Sequence, residues 1–298
     1  MTINSDTIKN ITLGFQAIFY NALIKAQVFW PEIATEVLAT KKKMEYPFLG
    51  DIPQVSEWVA ERQKKVVGAY KITLSDKKYE DTLRVNREDI EDDNLGLYKP
   101  IIQMFGIAHP NHQDKLAFEL FKNSFSDKAY DNVEFCGTHS WGTNKGTTAL
   151  SETAIDEAVA AMQSFKTDEG EFLMVNPTHL IVPPKLYGTA IRCTESLQLI
   201  TGENATKGNL NVVSKYGLKV IKSPYLTDTN NWWLADCSKP IKPFIMQVRI
   251  PPEFESDLDL NAGGGSQKFE ADILSWGTRS RYNAGYMWPQ LVYGSEVA

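Results

Sequence analysis

The chain has 298 residues, of which 43% are apolar, 23% charged and 11% aromatic, and its formal charge is −6. That length buries a substantial core in one or two domains. No apolar run reaches the roughly 18 residues of a membrane span, and the acidic balance argues against a surface made to grip phosphate backbones. The first residues, Met1 to Asp6, carry no basic segment and no apolar core, so no signal peptide is read. Cys136, Cys193 and Cys237 are widely spaced and read as buried thiols in a reducing compartment.

Residues 7–40 read as a helical arm. Ile8, Ile11, Phe15, Ile18, Phe19 and Leu23 recur at helical spacing, and Trp30-Pro31 interrupts the run. Lys41-Lys42-Lys43 reads as a solvated linker. A turn-rich loop at 46–53 leads to a short amphipathic piece, 55–62, carrying Trp58 and Arg62. Over 66–86 the chain reads as extended: Tyr70, Ile72 and Leu74 alternate with polar residues, Asp76-Lys77-Lys78 makes a charged turn, and Tyr79 opens a second arm. The expectation is a hairpin with no sheet partner of its own, which is marginal alone in water.

Arg87-Glu88-Asp89-Ile90-Glu91-Asp92-Asp93 places five carboxylates ahead of an apolar pattern at Leu97, Ile101, Met104, Phe105 and Ala108. Carboxylates favour the positive end of a helix dipole, and Pro100 suits a first turn. A long helix over 97–125 is therefore expected, started by Glu91, Asp92, Asp93 and Pro100 and bent near Pro110. Its later stripe is Leu116, Ala117, Leu120 and Phe121. A loop-rich stretch, 126–148, precedes a helix at 151–165 with Ala154, Ile155, Ala158, Val159 and Met162 facing inward. Strands are expected at 172–175, 180–182 and 218–221, with a helix at 185–199 between them, a βα alternation that suggests a compact α/β unit. The C-terminal part is strand-rich: 232–236, 244–250, a return at 269–276 after Gly263-Gly264-Gly265, and 285–288. The triple glycine reads as a turn, since no Gly-Lys-Ser/Thr follows it.

Chemistry is hard to find. His109, His112, Asp114 and His139 are the residues from which a metal-dependent hydrolase would be drawn, but their spacing matches no zinc pattern. The acidic run lacks the alternation and central glycine of a calcium loop. Trp232-Trp233 reads as core or subunit contact before it reads as a sugar or base platform. No cofactor is expected.

The order of elements says more than any motif. Four segments, Phe48-Leu49-Gly50 with Glu57-Trp58-Val59, the run 87–101, Trp233-Leu234-Ala235-Asp236-Cys237-Ser238 with Lys242-Pro243-Phe244-Ile245, and Gly277-Thr278-Arg279-Ser280-Arg281 with Gly285-Tyr286, resemble the Mu-like phage major head subunit family. The resemblance implies an α+β, HK97-like major capsid fold. Residues 1–45 would be the N-terminal arm, 46–94 the extended loop, 95–149 the spine helix and first part of a peripheral domain, 150–225 the axial domain, and 226–298 the peripheral return strands. It also implies a non-enzymatic virion protein, assembled in the host bacterial cytoplasm into hexamers and pentamers of an icosahedral shell enclosing double-stranded DNA without specific binding.

Trp58, Arg62, Tyr70, Ile72, Leu74, Lys77, Lys78 and Tyr79 would then be inter-subunit contacts. Some members of this fold crosslink the loop through Lys–Asn bonds; Lys64, Lys65, Lys71, Lys77 and Lys78 offer amines, but no crosslink is expected. Because the sequence starts at the arm, a separate scaffolding protein is expected, together with a portal and no membrane. A protein-cargo nanocompartment shell of the same fold, a tail or baseplate protein and the hydrolase stay open as alternatives.

Overall fold

Helix α1 (Ser5–Lys25) follows from its apolar spacing, and Ile8, Phe15 and Phe19 are buried. The computed structural model describes residues 5–48, 70–92, 94–166, 171–196, 198–199, 209–256 and 273–297. A four-residue helix, α2 (Trp30–Ile33), starts where Trp30-Pro31 was read as a break. The rest of the expected helical arm is different: Ala34–Leu38 is a strand, β1. Its β-branched Thr35 and Val37 suit a pleated surface.

β1 pairs in parallel with β13 (Phe244–Ser256). β13 in turn pairs antiparallel with β14 (Ile273–Tyr286), which pairs antiparallel with β4 (Lys77–Asn86). The sheet order is β1-β13-β14-β4, so the chain's first and last thirds interleave.

This pairing corrects the expected hairpin. β3 (Tyr70–Ser75) does not pair with β4 but with β2 (Lys43–Phe48), from Lys43 opposite Ser75 to Phe48 opposite Tyr70. β4 runs along β14 from Asn86 opposite Ile273 to Lys77 opposite Tyr282. The extended reading of 66–86 holds over 70–86, with 66–69 outside the described residues, but alternation does not name a partner. Asp76 is the single residue between two strands of different sheets.

The acidic run is also placed differently. It forms its own short helix, α3 (Arg87–Glu91), with Glu88 and Asp89 in the first turn. A 3-10 turn, Asn94–Leu97, intervenes before α4 (Lys99–Asn123). Pro100 does stand in the first turn of α4. Glu91 ends α3 and Asp92 caps its C-terminus, while Asp93 lies outside the described residues. α4 runs continuously through Pro110.

A second sheet has the order β11-β8-β12-β15-β7. It is built from β7 (Lys145–Gly146), β8 (His179–Val182), β11 (Lys219–Lys222), β12 (Trp232–Ala235) and β15 (Val292–Ser295). The sheet crosses the boundary expected at 225, because β12 inserts beside β8. Beside it lie α5 (Glu152–Gln163), whose Ser151 side chain caps the Ala154 N–H, and α6 (Tyr187–Glu195). The five residues expected to face inward from α5 are all buried. Residues 172–175 form no strand: Leu173 and Val175 are buried, but Phe172 and Met174 point outward. Trp232 and Trp233 are core, their indole N–H groups donating to Thr148 O and Ser124 Oγ.

Helices α1 and α4 meet at Gly106. A Cβ there would stand 2.5 Å from the Phe19 carbonyl oxygen and 2.8 Å from Ala22 Cβ. Alanine is intrinsically better in a helix by about 1 kcal/mol, yet Gly106→Ala must push α1 off α4. Denaturant titration is expected to show a net loss on the order of 1–3 kcal/mol; equal or greater stability would show that the two helices are not in close contact.

Candidate functional site: the seams and the open faces

α4 lies against the face of β14 that presents alternate residues Trp276, Thr278, Ser280 and Tyr282, all buried. His109 meets this row with both ring nitrogens: Nε2 is 2.8 Å from Thr278 Oγ1 and Nδ1 is 3.1 Å from Ser280 Oγ. One turn on, His112 Nδ1 is 3.0 Å from the Tyr282 hydroxyl, and its ring lies 4.3 Å from that of Tyr79. Asp114 is buried and accepts the backbone N–H of Phe29 at 3.0 Å and of Trp30 at 2.7 Å, tying α2 to α4. His139 is separate again, paired with Asp131 at 2.6 Å and stacked on Trp141. The four residues of the hydrolase reading thus hold separate structural contacts. Among the described residues no three His, Cys, Asp or Glu side chains converge on a metal position. The cysteines are free, and burial pushes the Cys136 and Cys237 thiols up to about 12.

The residues expected to touch neighbouring subunits divide. Trp58 and Arg62 lie outside the described residues, as does the side chain of Tyr70. Ile72 and Leu74 are half-buried against this subunit's own core, and Tyr79 is half-buried against His112 and Tyr282. Lys77 and Lys78 are exposed.

The face that sequence reasoning assigned wrongly is the first half of α4. The apolar pattern Leu97, Ile101, Met104, Phe105 and Ala108 is split: Phe105 is half-buried against the core, but Leu97, in the turn before α4, is 73% exposed and Met104 69%. The buried side is instead Ile102, Gly106, His109, Pro110 and Gln113. Ile107 continues the open stripe, and α1 contributes Leu13 and Ile24 as exposed apolar residues. The apolar pattern does not mark the inner side alone, because that side mixes Ile102 with Gly106, His109 and Gln113. The signal that identifies it is the run Thr278, Ser280, Tyr282, which offers hydroxyls at period two to polar helix residues.

Exposed apolar residues along one side of α4, Ile101, Met104 and Ile107, are the kind of surface that other chains cover. The sequence model of the Mu-like prophage major head subunit gpT family matches residues 8–148, 139–226 and 225–298. The chain belongs to that family. The head subunit is 27% identical over 291 residues to the Mu-like prophage FluMu major head subunit of Haemophilus influenzae, covering 98% of this chain and 73% of that one. Among solved structures it is similar to the procapsid of bacteriophage JBD30, with a TM-score of 0.62 and 26% identity over 99% of this chain and 76% of that one. A virus-like particle from Pyrococcus furiosus superposes with a TM-score of 0.58, covering 95% of this chain and 98% of that one; at 10% identity that likeness shows the fold alone.

The head subunit therefore has the HK97-like capsid fold and is a structural component of a phage virion, a subunit of a multi-chain shell, not an enzyme. The nanocompartment and hydrolase readings are not favoured: likeness to phage heads extends to sequence over nearly the whole chain.

The histidines set a pH dependence. Burial, then the neighbouring His112, holds His109 below the ordinary range against the pull of Asp81. Burial, with Lys115 and Lys77 opposing Glu119, does the same to His112. The unfolded chain takes up these protons near pH 6.5, whereas the folded seam does so only at lower pH. Their stabilisation is complete above 6.5 and is lost as pH falls through 6.5 toward the depressed folded values. The melting temperature is expected to fall between pH 7.5 and 5.5, less steeply in His109→Gln. An unchanged slope in that variant would remove His109 from the seam's proton balance.

Proposed function

We propose that the head subunit assembles into hexamers and pentamers of an icosahedral shell that encloses double-stranded DNA without specific binding. Assembly takes place in the host bacterial cytoplasm, with a scaffolding protein and a portal as partners. The observation that carries this reading is the open apolar row formed by Leu97 in the turn before α4 and Ile101, Met104 and Ile107 on α4. Fully burying such a side chain is worth about 1.5–3 kcal/mol, so contacts with neighbouring chains along this row supply a large part of the driving force. Heterologous contacts whose rotations close give rings instead of filaments.

In this reading residues 1–45 are the arm, 46–94 the extended loop, whose β4 joins the large sheet, 95–149 the spine and first part of the peripheral domain, 150–225 the axial domain and 226–298 the peripheral return strands, except that β12 and β15 complete the second sheet. Lys77 and Lys78, together with Trp58, Arg62 and Tyr70, are contacts to neighbours. The net charge of −6 suits a container whose wall does not hold its DNA.

Negative-stain microscopy of purified protein is expected to show rings or closed shells. Met104→Asp should preserve the melting temperature, since that side chain is largely in water, and reduce shell yield at least ten-fold; shells at normal yield would exclude the row as an interface. Replacing residues 43–75 by two glycines is expected to leave a folded subunit, because the Asp76 N–H already donates to Lys42 O at 3.0 Å across the excision point. That variant should form no shells, and global unfolding would show the ribbon to be part of the core.

A further inference from the structure

β4 is the outer strand of the four-stranded sheet, ten residues long, and its far edge meets no other strand among the described residues. Tyr79 lies against His112 and Tyr282, and Val85 is buried, so the odd-numbered residues face α4. Side chains alternate along a strand, which puts Lys78, Glu80, Thr82, Arg84 and Asn86 on the opposite face, all of them exposed. The Thr82 N–H donates to the carboxylate of its own neighbour, Asp81, at 2.9 Å, and is not spent on β14. In an antiparallel ladder the backbone groups of alternate residues point to the same edge. The even-numbered residues of β4 therefore turn their N–H and C=O groups to the open side.

Glu80 and Arg84 stand two residues to either side of Thr82. Across β14, Glu80 lies opposite Arg279, which is drawn instead to Glu253 at 3.1 Å and Glu255 at 3.0 Å. Arg84 lies opposite Ser275, and Thr82 opposite Gly277, so no side chain crowds the middle of the row. Among the described residues neither Glu80 nor Arg84 has an ion-pair or hydrogen-bond partner.

A second β4 laid antiparallel along this edge must align even-numbered residues with even-numbered ones, since those carry the free backbone groups. Centred on Glu80 or on Arg84, the pair sets like charges face to face. Centred on Asp81 it sets Lys78 against Arg84, and centred on Leu83 it matches neither charge. Centred on Thr82 it sets Glu80 opposite Arg84, Arg84 opposite Glu80 and Lys78 opposite Asn86. Opposite charges directly across a ladder stabilise it and like charges destabilise it, so the strand is complementary to itself in this one alignment.

We infer that two head subunits join their β4 edges antiparallel about a two-fold axis at Thr82, with Glu80 of each chain paired to Arg84 of the other. The contact makes one continuous sheet of the two four-stranded sheets. It is isologous, unlike the heterologous contacts that close rings, and so suits the joining of one ring to the next. That place in a shell rests on the assembly reading above; the strand pairing itself does not.

The test is cysteine crosslinking under a mild oxidant, with the wild-type chain, whose own cysteines are buried or half-buried, as background. Residues directly opposite in such a pair have Cα atoms about 5.5 Å apart, within disulfide reach. Thr82→Cys is expected to link two chains at least ten-fold faster than Lys78→Cys, with both melting temperatures within about 3 °C of wild type. Glu80→Arg and Arg84→Glu, added singly to Thr82→Cys, should each slow the link at least ten-fold. Added together they should restore it, because the reversed charges face each other again. The link is read on the concentrated subunit and on assembled particles. Its absence from both, equal linking at positions 82 and 78, or a double reversal that stays slow would each overturn the pairing. Should Thr82→Cys fail to fold, a mixture of Glu80→Cys and Arg84→Cys subunits reads the same alignment, by a link that neither variant forms alone. A wild-type subunit that never forms shells would sink the assembly reading, and the link in the concentrated subunit would still decide the pairing.

Discussion

The seam between α4 and β14 is the constraint on which the rest depends. A helix of 25 residues must keep one side dry along a strand whose inward residues repeat every second position. The match is made with polar groups: His109 and His112 against Thr278, Ser280 and Tyr282. A buried hydroxyl or imidazole left unpaired costs about 1–3 kcal/mol, so this row admits one helix register. With the register set, Gly106 faces α1, Asp114 faces the start of α2, and Phe118 and Phe121 reach the core shared with β12 and β13. With this inner polar face, Ile102 stays buried and Phe105 half-buried, while Ile101, Met104 and Ile107 of the first half of α4 turn outward.

That outward turn links fold to function. In the single subunit Leu97, Ile101, Met104 and Ile107 are open to solvent while His109 is buried. Here part of the apolar area stays in water, and in the assembly proposed above the helix, braced by α1 and the sheet, presents it to other chains. The edges of the large sheet follow the same logic. β4 is an edge strand, but Lys77, Lys78, Glu80, Asp81 and Arg84 line it with exposed charge, which discourages unprogrammed strand pairing.

A second bracing point joins the two sheets' ends of the molecule. Glu32 of α2 is reached by Lys219 Nζ of β11 at 2.6 Å and by His179 Nε2 of β8 at 3.3 Å. Burial works to raise the Glu32 pKa, but Lys219 and His179 outweigh it and keep the carboxylate charged. With Asp114 holding the N-terminal end of α2, this one short helix ties the arm to the spine and to the second sheet.

Much of the local structure was legible. The α1 stripe, the α5 face with its Ser151 cap, and the strands at 180–182, 218–221 and 232–235 follow from periodicity and end signals that act within a few residues. So did the element order that resembles the family, since order survives errors in pairing. Non-local choices were not legible. Tyr70, Ile72 and Leu74 alternate equally well beside β2 or β4, and the separation is made by the pairing of β3 with β2 and of β4 with β14. The acidic run favours a helix start, but α3 takes it, and Tyr98 binds back to Asp89 at 2.6 Å to hold the break before α4. By itself the sequence determined where helices and strands form and which family order they follow, because those depend on neighbours in the chain. Which strands pair and which side of α4 stays dry were decided only in three dimensions, by contacts between residues far apart in the chain, such as Ala34 opposite Phe244 and His109 against Thr278.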